Sequence, residues 1–153
     1  MIPREFFVTS GKAVSSVSAL NAFDRALTNA GIAQCNLVQV SSILPSECKE
    51  VALREIPAGS ITHTVMARID GTEGMTISAG VAWAWENRRR YGLVVEAQGQ
   101  MDQESLNATL DWKIKEMADT RKVELSDISH RTDVLTVPLR NYGCVVAALV
   151  YLL

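Results

Sequence analysis

The chain is short of the residues on which most recognisable chemistry depends. It has two histidines, His63 and His130, and three cysteines, Cys35, Cys48 and Cys144, with no Cys-x-x-Cys pair. Such spacings indicate neither a zinc centre nor a disulfide framework, so no metal is expected and a reducing cytoplasm is the default compartment. Excess charge is missing too. A net charge of −2 and one basic run, Arg88-Arg89-Arg90, give no reason to expect nucleic acid, and the run reads as a solvated turn. The N-terminus has no charged-then-apolar leader segment. The apolar run from Cys144 to Leu153 is too short to cross a bilayer as a helix, so it reads as a buried strand and no membrane contact is expected.

Motifs of common enzymes are absent as well. There is no Gly-x-Ser-x-Gly elbow, and nothing places His63 or His130 with an aspartate and Ser60 or Ser129 in a hydrolase triad. The lysines sit in polar contexts, unlike one that would hold pyridoxal phosphate. The glycine-bearing stretch Asp70-Gly-Thr-Glu-Gly74 carries acids that would repel a phosphate.

What is present is a globular composition. Hydrophobic residues make up 48 % of the 153, charged residues 21 %, enough for a single domain over residues 1–153 with a sizeable core. Two helices are predicted. The first covers about Ala19–Ala30, with Ser18 as N-cap, Leu20, Phe23 and Leu27 at helical spacing, and Gly31 just past the end. The second opens at Met101-Asp102, with Asp102 as cap and Leu106, Leu110, Ile114 and Met117 as its apolar stripe. Seven or eight strands fill the rest. Glu5–Thr9 is the first, ended by Ser10-Gly11. Ile61–Ile69 and Met75–Trp85 flank a hairpin-type loop at Asp70–Gly74, and Ile77, Ala79, Val81 and Trp83 share one face. Small residues at Ser78–Gly80 suggest close packing, against another subunit among other choices. Strands joined directly over much of the chain argue α+β rather than a doubly wound sheet.

The most informative stretch is Asn36-Leu-Val-Gln-Val-Ser41-Ser42-Ile-Leu-Pro45. It begins as a strand, runs into two serines and is stopped by a proline, which lacks an amide donor. The serines have two readings. One is a plain turn or cap signal. The other is self-processing, in which the Ser42 hydroxyl attacks the Ser41 carbonyl and the chain is cut between them. Three further residues stand out. Asn36 lies six before Ser42 and shares its face if the segment stays extended, or else satisfies a strand-start backbone group. Glu96, ending the strand Tyr91–Ala97, is either a proton donor in apolar surroundings or a solvated carboxylate. Asp24 sits off the apolar stripe of its helix, as solvated carboxylates do.

The stretch Leu20–Ile32, with Asp24 and Gly31, followed by Asn36–Pro45, resembles the pyruvoyl-dependent arginine decarboxylases. Met1–Arg4, the Pro57-Ala-Gly59 turn and Gly143-Cys144 fit the same family, so the resemblance spans nearly the full length. It implies a four-layer αββα sandwich, cut by its own serine into a short chain of residues 1–41 and a longer one of 42–153. It further implies that Ser42 becomes a covalent pyruvoyl group, with neither metal nor pyridoxal phosphate, and that cleaved units assemble as trimers. On this resemblance Glu96 reprotonates the substrate α-carbon. Asn36 polarises the Ser41 carbonyl or holds substrate, and Asp24 binds the side chain of L-arginine on its way to agmatine, an entry step to polyamines. Two alternatives remain beside it: a pyruvoyl decarboxylase of another amino acid, and a homologue that never cuts itself and serves as an assembly subunit.

Overall fold

Eleven elements run β1(Glu5–Ser15), α1(Ala19–Asn29), β2(Asn36–Gln39), β3(Ile43–Pro45), β4(Lys49–Glu50), β5(Ile61–Thr72), β6(Thr76–Trp85), β7(Tyr91–Gly99), α2(Gln103–Arg121), β8(Ser129–Thr136) and β9(Tyr142–Leu152). The computed structural model describes residues 1–153. The strands form two sheets, one ordered β2-β5-β9-β1-β4 and the other β3-β7-β6-β8. No helix is long and apolar enough to cross a membrane.

Alternation along the central strands decides the layers. In β9, Cys144, Val146, Ala148 and Val150 pack with Ala22, Ala26 and Ala30 of the α1 region, while Ala147, Leu149 and Tyr151 pack with Val81, Trp83 and Val94 of the second sheet. Both faces of β9 are therefore apolar, which is why its sequence reads as one continuous hydrophobic run. In β6, Ala82 and Ala84 meet Leu106, Leu110 and Ile114 of α2, whereas Ile77, Ala79, Val81 and Trp83 face the first sheet, as their spacing predicts. The layers are thus helix, sheet, sheet, helix, an α+β sandwich.

Both helices begin where their caps are expected. The Ser18 side chain accepts from the Asn21 amide and that of Asp102 from the Ser105 amide, satisfying donors that a helix start leaves free. The bond from Ser105 also holds the Asp102 carboxyl below its ordinary range. Gly31, at φ 77°, ends α1 as a left-handed residue.

Several expectations need correcting. Leu20 is not in the stripe of α1 but exposed, because Ala22 and Ala26 are the residues that press onto the sheet. β1 does not stop at Ser10-Gly11 but runs through to Ser15, paired along its length with β9. A Cβ on Gly11 would run into the Ala26 carbonyl, so glycine there lets the helix lie directly on the strand. Asp70–Gly74 is not a hairpin loop: β5 runs on through Asp70, Gly71 and Thr72, paired with β9, and the short turn at Glu73-Gly74 leads to β6 in the other sheet. The small residues around Gly80 face their own chain, since a Cβ there would meet the side chains of Thr132 and Leu110. The basic run is a turn, with Arg89 stacked on Trp85 and Arg90 paired to the buried Glu86.

Candidate active site

The two serines sit where the chain passes from one sheet to the other. β2 runs parallel to β5, with Asn36 opposite Ile61 and Gln39 opposite Thr64, and the Val40 amide extends that pairing to the Thr64 carbonyl at 3.0 Å. Two residues later the Ser42 carbonyl accepts from the Val94 amide of β7 at 2.9 Å, and Ile43–Pro45 pair antiparallel with Leu93–Tyr91. Leu44, wholly buried between the sheets, drives the second half of this crossing, and Pro45 is tolerated because β3 is an edge strand. The strand therefore does not continue from Asn36 through Ser42. The even spacing of those two residues does not put them on one strand face.

Between its two anchors the Ser41 carbonyl accepts no hydrogen bond within the chain. Ser41 is exposed and Ser42 half-buried. They open on different clefts. Ser42 lines a cleft of about 470 Å³ with Val95 and Glu96 of β7 and with Lys113, Glu116 and Thr120 of α2. Ser41 lines a more apolar one of about 360 Å³ with Val40, Ile43, His63 and Tyr151. The Tyr151 hydroxyl donates to the Ile43 carbonyl at 2.9 Å, and burial pushes its phenol well above the ordinary value, so it stays a donor.

Ser42 and Glu96 are thus brought together. Glu96 is not at the end of its strand, which runs on to Gly99; it is half-buried and lies two residues past the amide that holds Ser42. Lys113 donates its Nζ to the Glu96 carbonyl at 2.9 Å, tying α2 to this edge of the sheet. Asn36 and Asp24 line neither cleft. The Asn36 side-chain amide donates to the Gly59 carbonyl at 2.9 Å, within its own chain, and so fastens the start of β2 to the Pro57–Gly59 turn. Asp24 is exposed on α1 and its carboxylate forms no ion pair in the chain. Lys113, Glu116 and Tyr151 carry no signal in the sequence: the first two are charged residues outside the named apolar stripe of α2, and Tyr151 lies within the apolar run that starts at Cys144. The thiol of Cys144 is pushed up to about 12, chiefly by burial, which leaves it unreactive.

The chain is an α+β sandwich whose sheet-to-sheet crossing is a serine pair, the second serine lining a cleft with a carboxylate and a lysine, side chains suited to an enzyme's site. The chain belongs to the pyruvoyl-dependent arginine decarboxylase family, whose model matches residues 5–153. Among similar proteins of that name, the one from Methanothermobacter thermautotrophicus is 35 % identical over 147 residues, 95 % of this chain and 94 % of the relative. That from Methanopyrus kandleri is 33 % identical over 150 residues, 98 % and 97 % of the two chains. That from Methanocaldococcus jannaschii is 35 % identical over 131 residues, 84 % and 78 %.

The family is named for a covalent pyruvoyl group, and the residues present fit one. Serine stands at both positions of the crossing, the Ser41 carbonyl is free of hydrogen bonds, and Ser42 faces the cleft that a substrate would enter.

Proposed function

We propose that this chain cuts itself between Ser41 and Ser42 and then decarboxylates L-arginine to agmatine and carbon dioxide. The observation that carries this reading is the placement of Ser42 and Glu96 on one cleft, at the point where the chain changes sheets. On this reading maturation begins at the crossing. The Ser42 Oγ adds to the Ser41 carbonyl carbon, the C–N bond breaks, and the acyl group passes from nitrogen to oxygen as an ester. Loss of the Ser42 α-proton then expels the Ser41 carboxylate, and one water releases ammonia and leaves the pyruvoyl group on the new N-terminus. Residues 1–41 and 42–153 are the expected pieces.

The pyruvoyl carbonyl supplies the electron sink that a decarboxylation requires, in place of a separate cofactor. The chain's own residues do the rest. The Glu96 carboxyl delivers a proton to the substrate α-carbon after carbon dioxide departs. A carboxylate accepts a guanidinium through two parallel hydrogen bonds, and Asp24, exposed and unpaired, is available for that contact. Since Asp24 and Asn36 lie outside the cleft of their own chain, a neighbouring copy supplies them, in the trimer the family resemblance implies. Three free cysteines suit a reducing cytoplasm.

Denaturing mass spectrometry of the purified protein is the test. Two pieces split after Ser41, the larger with a borohydride-reducible N-terminal carbonyl, support the reading. Carbon dioxide release from arginine, lysine, ornithine and aspartate then separates the substrates. An intact chain with unmodified Ser42 that releases none would overturn it.

A further inference from the structure

Three hydrogen bonds hold the crossing, and two of them are backbone pairings that any sheet provides. The third is not. Tyr151 stands on β9 of the first sheet and Ile43 on β3 of the second, so the bond from the phenol to the Ile43 carbonyl spans the gap between the sheets. Tyr151 is 6 % exposed, paired across the sheet with Phe6 and packed in the core that contains Leu44. Its ring is therefore fixed and its hydroxyl is aimed. It also lines the same cleft as Ser41 and Val40. Val40 is bonded to β5 on one side of Ser41 and Ser42 to β7 on the other, and the next residue, Ile43, is the one whose carbonyl Tyr151 holds from the first sheet.

We propose that Tyr151 is a positioning residue for self-cleavage: by holding the Ile43 carbonyl across the inter-sheet gap, it sets the approach of the Ser42 hydroxyl to the Ser41 carbonyl. The inference rests on the reading of Ser41–Ser42 as the cut site. Attack on a carbonyl is fast only from a near-attack geometry, and small displacements of the nucleophile cost rate steeply. Tyr151 touches none of the reacting atoms and moves no proton. Its part is confined to the acyl shift from nitrogen to oxygen, the one step that depends on the angle of that peptide.

The experiment uses the full chain made by cell-free translation, with the appearance of the fragment 42–153 followed in time, with and without hydroxylamine. Hydroxylamine cuts the ester as it forms, so the rate in its presence reports the acyl shift alone. Tyr151→Phe keeps the ring and removes only the hydroxyl. It is expected to slow the hydroxylamine-dependent cut by about fivefold, the equivalent of one neutral hydrogen bond. Leu110→Ala, in the core beneath α2, is the control for general loss of stability. Cutting of Tyr151→Phe at the parent rate, or slowing no greater than Leu110→Ala shows for the same drop in Tm, overturns the inference. A parent chain that never cuts overturns the cleavage reading itself, and this inference with it.

Discussion

The carbonyl of Ser42 is held by the amide of Val94, and the same strand carries Glu96 two residues further on, so the serine at the crossing and the carboxylate face one cleft. That relationship makes Ser42→Ala the sharpest variant. It removes the nucleophile and leaves the backbone bond untouched. A single uncut chain with a normal Tm and no carbon dioxide release from arginine is expected. A Ser42→Ala protein that still yields residues 1–41 and 42–153 on denaturing mass spectrometry would place the nucleophile elsewhere.

Glu96→Gln separates maturation from turnover. The amide keeps the shape of the side chain but has no acidic proton to give. The chain should cut itself normally and lose kcat by about 10²-fold or more, the usual worth of a general acid. Full activity in Glu96→Gln removes this residue from the mechanism.

Much of this architecture was legible from local signals, and the rest was not because it depends on partners distant in sequence. Ser18 and Asp102 announce their helices because a side-chain oxygen beside free amides acts within one turn. The face of β6 made by Ile77, Ala79, Val81 and Trp83 follows from strand alternation alone. Asp70–Gly74, by contrast, reads as a hairpin because residue types specify a turn and not which sheet the next strand joins. The crossing at Ser41–Ser42 was hidden for the same reason: continuous extended backbone looks alike whether one sheet or two claims it. Leu20 misleads because apolar periodicity assumes that the larger side chain is buried, whereas Gly11 lets Ala22 and Ala26 take the contact.

Gly11 offers a test of that close approach. A methyl group there meets the backbone carbonyl of Ala26, which cannot step aside without moving α1. Gly11→Ala should destabilise the fold by about 1–3 kcal/mol, as overpacking generally does, measured by urea unfolding. Gly59→Ala meets no neighbouring atom and gives the comparison for backbone strain alone, since Gly59 has φ 82°. An unchanged urea midpoint in Gly11→Ala would mean that helix contact is not what requires glycine at 11.

Acid should loosen the turn beyond β6. Glu86 is buried, and its hydrogen bonds from Arg90 hold the carboxyl below its ordinary value of 4.5. The folded chain thus binds this proton less readily than the unfolded one. The contribution is complete above the unfolded value and is lost as pH falls through the folded one. Glu86→Gln should lower Tm near neutral pH, and its gap to the parent should shrink as pH drops below 4.5. A gap that stays constant into acid would show that charge on Glu86 is not what stabilises the turn.

Asp24 and Glu96 are expected to serve one site from two copies of the chain. Asp24→Ala alone should cut normally and bind arginine about tenfold more weakly or worse, as loss of a charge-assisted contact does. Glu96→Gln alone binds but turns over poorly. When the two variants are expressed together, some sites combine the intact Asp24 of one copy with the intact Glu96 of its neighbour. At random equal mixing about a quarter of sites are whole, so activity at low arginine should recover toward that fraction. If each chain instead supplied both residues to its own cleft, no mixture would exceed the sum of its parts, and the shared site would have to be given up.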